Sequence, residues 1–271
     1  MGLEQFPTQP RAPLRLSLDE TAIKLYQDGG VGFLTKHGTR NKQTHALHRN
    51  VTRGQLRTIS THVAVVCDDP GIQPSLPHIL IVNKHMMTQQ TYERICNTLP
   101  ANVHLWRLTS SWVNIASMVR IVDVVGRSLS AFRDTHQVLL GMDSARVHSA
   151  VPVWRACARN SVFAYVIPAK LTWCLQVLDT HVFAGFKQRL KMLCQKSATD
   201  AAADNISLEV TVTAVCESIV HSITAKSWTK AFADLGLVGH QREVSTRVLD
   251  KLSMAAVPAV HSTVPTLSQL Q

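Results

Sequence analysis

Three aspartates stand where a carboxylate could bind a metal ion. The apolar run Val138–Met142 stops at Asp143, which predicts a buried strand that ends at an accessible rim. Asp179 comes just before an amphipathic helical run, and Asp19 closes the strand-like segment 14–20. Mg²⁺, like Mn²⁺, prefers carboxylate oxygens, and two such ions can activate the attacking oxygen and relieve charge on the leaving oxygen of a phosphodiester. Three carboxylates at the ends of three elements can therefore hold two such ions.

The elements that must position these acids follow one another in a recognisable order. Strands are predicted at 14–20, 62–67, 78–83, 138–142 and 162–167, and helices at 115–132, 150–159, 180–196 and, two or three of them, within 206–254. Three strands, a helix, a strand, a helix, a strand and further helices are typical of an α/β, ribonuclease H-like (retroviral integrase-like) mixed sheet flanked by helices. In that fold the first and fourth strands are neighbours. We therefore expect the carboxylates of Asp19, Asp143 and Asp179 to converge on a common point.

The same pattern divides the chain into four parts. Residues 1–13 are predicted to be an extended lead-in and residues 14–196 the ribonuclease H-like core. Residues 197–254 form a helical C-terminal extension, and residues 255–271 a disordered tail. Three tryptophans with apolar neighbours, Trp112, Trp173 and Trp228, are assigned to the core.

The charge balance points to an acidic partner. The chain carries 28 Lys and Arg against 18 Asp and Glu, a formal net charge of +10, which favours binding to nucleic acid. No acidic residue occurs between Asp28 and Asp68, so that segment is a candidate phosphate-facing loop, and a solvated basic loop is an equal alternative. The side chains predicted to contact DNA phosphates are Lys36, Arg40, Lys42, Arg49, Arg53 and Arg57, with Lys187 and Lys191 one helical turn apart further on.

The cysteines and the hydrophobic runs indicate an intracellular protein without a membrane partner. The six cysteines show no CxxC pair and no zinc-finger spacing, so we expect buried free thiols. The amino terminus has no secretory signal, and no uncharged apolar run reaches 18 residues.

Five sequence blocks, taken together, resemble one known family. They are Asp19-Glu20-Thr21, 141-GMDSARVH-148, 167-IPAKLTWCLQVLD-179, 182-VFAGFK-187 and 227-SWTKAFADLGL-237. Each block is weak alone, but all five in this order, across roughly residues 14–240, resemble the catalytic domain of pogo/Tigger-type DDE transposases of the mariner-pogo superfamily.

The resemblance implies cleavage and transfer of DNA strands with two Mg²⁺ or Mn²⁺ ions, and a nuclear location. It matches Asp19, Asp143 and Asp179 to the family's three catalytic and metal-binding acids. Ser144 departs from the family's usual asparagine, and Val177 from its usual proline. Around the acids, the residues expected to support the ligands are Glu20, Ser144, His148 and His181. Since successive strand residues face opposite sides, Asp19 is a better ligand than Glu20.

Alternatives to an active DNA enzyme stay open. The thirteen residues before the first strand cannot hold the helix-turn-helix domains that such transposases usually carry, and Ser144 departs from the pattern. Both points favour a catalytically silent, domesticated or degenerate DNA-binding descendant. An unrelated ribonuclease H-like nuclease that acts on RNA is compatible with the same metal chemistry. A homodimer is also compatible with the sequence.

Overall fold

A computed structural model describes residues 11–24, 33–34, 46–47, 58–200 and 207–238, with residues 246 and 250. Its strands are β1 Ala12–Lys24, β2 Phe33–Leu34, β3 Ala46–Leu47, β4 Thr58–Cys67, β5 His78–Asn83, β6 Val103–Leu108, β7 His136–Met142 and β8 Val162–Val166. Its α-helices are α1 Gln89–Cys96, α2 Ile115–Ser128, α3 Val151–Arg159, α4 Thr172–Leu175, α5 Phe183–Asp200, α6 Leu208–Ile219 and α7 Thr229–Asp234. Short 3₁₀ turns occupy Gln73–Ser75 and Ser130–Phe132, and π-helical turns Leu178–Val182 and Val220–Thr224.

Six strands form one mixed sheet in the order β6-β5-β4-β1-β7-β8. Strand β4 runs antiparallel to both neighbours, whereas β1, β7 and β8 are mutually parallel, as are β5 and β6. The strand that carries Asp19 therefore lies beside the strand that precedes Asp143. This is the predicted ribonuclease H-like fold, and the adjacency of those two strands is confirmed.

Strand β6 and helix α1 extend the predicted order of elements. Strand β6 has the sequence VHLWRL, in which the buried Val103 and Leu105 alternate with the half-buried His104 and Trp106. Arg120 of α2 lies over the Trp106 ring, 4.4 Å from its centroid, and covers the outer face of this edge strand.

Two hydrophobic clusters, one on each face of the sheet, fix the strand register. On one face Leu14, Leu16 and Leu18 of β1 pack against α2 and α3. On the other face Ile23 of β1 and residues of β4 and β5 pack against α5 and α6, with Phe186 fully buried. Because side chains alternate along a strand, Asp19 faces the α5 side and Glu20 the α2–α3 side.

The first strand is longer than the segment 14–20 that the sequence suggests. Strand β1 continues to Lys24 because residues beyond Asp19 keep pairing with β4, from Glu20 opposite Val63 to Ile23 opposite Ser60. Asp19 consequently lies within a paired strand rather than at its end. The backbone of Asp19 is therefore fixed by strand residues that precede it and by strand residues that follow it.

The helices after residue 207 complete the core on the α5 face of the sheet. Val215, Ile219 and Phe232 belong to the same buried cluster as Phe186 and Leu190 of α5. The division at residue 196 stays a prediction, although the described helices on both sides of it share one core. The predicted lead-in up to residue 10 and the tail 255–271 lie outside the described residues.

The tryptophan and cysteine predictions have mixed outcomes. Trp228 is buried, as predicted, and its indole N–H donates to the Ile223 carbonyl. The prediction for Trp112 is wrong, since its side chain is 66% exposed on the loop between β6 and α2, and Trp173 is 37% exposed. All six cysteines are free thiols, and each is buried except Cys96, which is half-buried. Among the helices in the described ranges, none is both long and apolar enough to cross a membrane.

Candidate active site

Asp19 and Asp143 are brought side by side by the pairing of β1 with β7. The parallel ladder runs in constant register from Ala12 opposite His136 to Ser17 opposite Gly141. Two residues beyond this last pair are Asp19, still within β1, and Asp143, the first residue after β7. Gly141 lets the ladder reach this point, because a Cβ at that position would lie 2.5 Å from the Tyr165 hydroxyl oxygen. The two acids therefore meet where the strands begin to diverge.

A buried histidine joins Asp143 to Glu20. His148 is fully buried; its Nδ1 lies 2.5 Å from Asp143 Oδ1 and its Nε2 lies 3.1 Å from Glu20 Oε1. Both partners are carboxylate oxygens, which accept hydrogen bonds, so both ring nitrogens must donate and the ring is an imidazolium. The loop that returns His148 to this position is closed by the Ala145 N–H, which donates to Asp143 Oδ1 at 2.9 Å.

This bridge sets the charge states of its members. Burial of the ring lowers the pKa of His148, but the hydrogen bonds to Asp143 and Glu20 outweigh that effect and raise the pKa to about 10. The hydrogen bond from His148 in turn lowers the pKa of Asp143, although burial opposes it. Asp143 is thus held ionised and oriented, as a metal-binding carboxylate must be.

Asp19 is in the opposite electrostatic situation. Its side chain is buried on the α5 side of β1, and its Oδ1 accepts the Glu20 backbone N–H at 2.8 Å. Burial raises the pKa of Asp19 to about 8, and repulsion from Asp179 and Glu20 adds to the increase. A buried carboxyl group among other carboxylates is costly to ionise, so the position favours a nearby cation.

Asp179 reaches the site from the segment between α4 and α5. It occupies the second position of the π-helical turn Leu178–Val182, which runs directly into α5, and Val177 precedes the turn without a side-chain cap. Burial raises the pKa of Asp179, the ammonium group of Lys187 opposes the increase, and Asp143 adds repulsion. The three acids therefore influence one another electrostatically across the end of the β1–β7 ladder.

The carboxylates do not yet form the common point expected from the sequence. Within the described part of the chain, no three Asp, Glu, His or Cys side chains stand close enough to hold one ion. The electrostatic coupling of Asp19 to Asp179 and Asp143 shows proximity, not ligand geometry. Carboxylate oxygens are the donor type that Mg²⁺ and Mn²⁺ prefer. A cation next to the buried Asp19 would also favour its ionised form. An ion shared by the three acids would have to bring their carboxylates closer together.

The other residues predicted to belong to the site differ in their exposure and in their partners. Ser144 is exposed next to Asp143. His181 turns away from the acids: its Nδ1 lies 2.8 Å from Thr180 Oγ1, and its Nε2 lies 3.5 Å from Asp234 Oδ2 of α7. Lys187 is exposed one helical turn beyond the π-helical turn, and Lys191 is half-buried. The predicted phosphate contacts Lys36, Arg40, Lys42, Arg49, Arg53 and Arg57 lie outside the described residues.

Gln176 belongs to the site and is missed by sequence reasoning. It is fully buried, and its Nε2 donates to the Leu18 carbonyl at 2.8 Å, directly before Asp19. An uncharged residue in the apolar run LTWCLQVL carries no signal for chemistry, except that a glutamine there must find hydrogen-bond partners if it is buried.

The family resemblance implies DNA cleavage, and replacing His148 with glutamine is expected to reduce that activity about 10–100-fold, because one amide cannot donate to both Asp143 and Glu20. Glu20→Gln is expected to cost less than about 10-fold, since a neutral His148 can still donate to Asp143 while accepting from the new amide. Initial nicking rates of the two variants, with melting temperatures as a check on folding, make the comparison. Equal losses in both variants would contradict the assigned bridge.

Comparisons with known proteins add two findings. The family model described as DDE superfamily endonuclease matches residues 75–232, more than half of the chain, and this range includes Asp143 and Asp179 but begins after Asp19. Among solved structures, the chain is similar to Mos1 transposase in its paired-end complex with a left transposon end, with a TM-score of 0.40 and 17% sequence identity. That similarity covers 82% of this chain and 55% of the other, so the chain spans about half the length of that transposase. No curated protein matches the chain.

Proposed function

Because the chain belongs to the DDE superfamily endonuclease family, we propose that it is a transposase-type catalytic domain that cleaves and transfers DNA strands with divalent metal ions. The observation that supports this most is that Asp19 and Asp143 each lie two residues beyond the last pair of the parallel β1–β7 ladder, with Asp179 electrostatically coupled to both. Mg²⁺ or Mn²⁺ bound there would activate the attacking oxygen and offset charge on the leaving oxygen.

Each of the acidic residues has a different role in the proposed site. Asp19, within a paired strand, is the fixed acid against which the others are placed. Asp143 is kept ionised by the His148 bridge, so it is ready to bind a cation without first losing a proton. Asp179 lies on the π-helical turn between α4 and α5, next to the fully buried Leu178. Glu20 holds the far side of His148 and faces away from Asp19.

DNA is the proposed substrate, and the charge of the chain supports it. A net charge of +10 favours a phosphate backbone, and the exposed Lys187 lies near Asp179, where it could contact a phosphate next to the scissile one. We also propose that the basic segment from Lys36 to Arg57 tracks the same backbone. A nuclear location and a homodimer complete the proposal.

The alternative is a catalytically silent descendant that keeps the fold and its basic charge. Two observations favour it: Ser144 replaces the family's usual asparagine, and the three carboxylates do not converge as they stand. The alternative predicts DNA binding with no cleavage at any metal concentration.

A nicking assay on supercoiled DNA separates these two functions. The chain is incubated with Mg²⁺, with Mn²⁺ and with a chelator, beside a variant in which Asp19, Asp143 and Asp179 are all asparagine, which controls for contaminating nucleases. Metal-dependent nicking by the natural chain alone supports the enzyme. Equal, background nicking by both proteins, with DNA binding intact, supports the silent descendant.

A further inference from the structure

Strands β1 and β7 stop pairing just before Asp19 and Asp143. Pairing of β1 with β7 ends at Ser17 opposite Gly141, yet β1 continues through Leu18 and Asp19. The Leu18 carbonyl accepts a 2.8 Å hydrogen bond from the side-chain amide of Gln176, which is fully buried. The amide of Gln176 therefore lies beside β1 just past the last residue that β7 pairs with.

The main chain of Gln176 begins the turn that carries Asp179. Its carbonyl oxygen accepts from the Thr180 backbone N–H at 3.0 Å and from the Thr180 hydroxyl at 2.8 Å. Asp179 lies between Gln176 and Thr180 in this closed turn. One residue thus bonds through its side chain to the residue before Asp19, and through its backbone to the residue after Asp179.

The orientation of the Gln176 amide follows from chemistry. A carbonyl can only accept, so the NH₂ group must face Leu18, and the Oε1 atom points elsewhere. Among the residues that the structure describes, Oε1 has no hydrogen-bond partner, although it is buried. The buried amide thus donates to the strand that carries Asp19.

We propose that Gln176 is a positioning residue, which sets the separation of Asp19 and Asp179 and so determines how tightly the two acids bind a shared divalent ion. This inference rests on the proposed function. Without the amide, the turn that carries Asp179 loses its direct bond to β1, and the separation of Asp179 from Asp19 is no longer fixed by that bond.

A second buried glutamine provides a matched control. Gln73 is 1% exposed, and its Oε1 accepts the Cys67 backbone N–H of β4 at 2.8 Å. Cys67 pairs with Leu16, three residues before Asp19, and Gln73 bonds to none of the three acids. Gln73→Met and Gln176→Met each remove one buried side-chain bond to a strand backbone and keep a similar shape and zero charge.

The test measures Mn²⁺ binding to the full chain by electron paramagnetic resonance, together with nicking rates and melting temperatures. Both methionine variants are expected to melt at a lower temperature than the natural chain. Gln176→Met is expected to weaken Mn²⁺ affinity about 10-fold or more and to slow nicking about 10–100-fold, while Gln73→Met changes neither. Equal Mn²⁺ affinity in the two variants would overturn the proposal.

Thr180→Val covers the case in which Gln176→Met fails to fold. It removes the hydroxyl bond to the Gln176 carbonyl, together with the hydroxyl contacts to the Val177 carbonyl and to His181 Nδ1, and keeps the backbone bond to Gln176. Mn²⁺ affinity should fall about 2–5-fold, because one of the two bonds to the Gln176 carbonyl is lost. Unchanged affinity in Thr180→Val would count against the positioning role. If the natural chain itself shows no Mn²⁺ binding that depends on Asp143, the proposed function fails and this inference falls with it.

Discussion

Replacing Asp143 with asparagine is expected to lower metal-dependent DNA nicking at least about 1,000-fold, with the fold intact. The change removes one negative charge from the metal site and keeps nearly the same shape. An asparagine Oδ1 can still accept from His148 and from the Ala145 N–H, so we expect the loop 143–150 to keep its conformation. Initial nicking rates at saturating Mg²⁺, with a melting curve for each protein, measure the effect.

Asp134→Asn is the matched control for this substitution. Asp134 is exposed in the turn before β7, at the opposite end of that strand from Asp143. Asp123 is a worse control, because its carboxylate binds both Arg159 and Asn160 and so joins α2 to α3. Nicking should be unchanged in Asp134→Asn. An Asp143→Asn protein that nicks DNA as fast as this control would remove Asp143 from the active site.

Asp19→Asn is expected to abolish nicking to a similar extent and, at the same time, to stabilise the metal-free chain. The carboxyl of Asp19 is buried and repelled by Asp179 and Glu20, whereas an asparagine carries no charge and can still accept the Glu20 backbone N–H. A residue kept for function at a cost in stability is common at active sites. In a chelator above pH 8, the variant should be more stable by at least about 1 kcal/mol, or roughly 2–4 °C in Tm for a domain of this size.

The contribution of Asp19 to the free energy of unfolding changes with pH in a definite direction. The pKa of Asp19 is about 8 in the folded chain, against an ordinary value of 3.8. Between these values the folded chain holds a proton that the unfolded chain has lost, so the free energy of unfolding falls as the pH rises from about 4 to about 8. Asp19→Asn removes this contribution. Its advantage in Tm over the natural chain should therefore be small near pH 4 and largest above pH 8.

Melting curves of both proteins in a chelator at several pH values check this expectation. Groups whose titration does not depend on Asp19 cancel in the difference between the two proteins. An Asp19→Asn variant that melts lower than the natural chain above pH 8 would show that Asp19 is not electrostatically strained.

The order of strands and the identity of the acids could be predicted because both depend on local signals. An apolar run that ends at Asp143 and alternating leucines before Asp19 reveal buried strands without any knowledge of distant residues. The end of β1 could not be predicted, since residues after Glu20 are held in the strand by pairing with β4 residues that lie 34 to 41 positions away in sequence. The exposure of Trp112 likewise depends on where the loop before α2 lies.

The residues that support the acids are harder to predict than the acids themselves. Nearness in sequence predicts that His148 lies close to Asp143, but its second bond, to Glu20, spans 128 residues and has no local signal. The same nearness predicts His181 at the site, whereas its ring faces Asp234. No local signal marks Gln176, because its partner, the Leu18 carbonyl, is 158 residues away and every residue has a carbonyl.

The proposed function requires a divalent-metal site shared by Asp19, Asp143 and Asp179, and Mn²⁺ binding tests for that site directly. Mn²⁺ is titrated into the natural chain, into Asp143→Asn and into Asp134→Asn without DNA, and the bound ion is measured by electron paramagnetic resonance. We expect saturable binding to the natural chain and to Asp134→Asn, and binding at least about 10-fold weaker in Asp143→Asn. Binding of equal strength to all three proteins would contradict it.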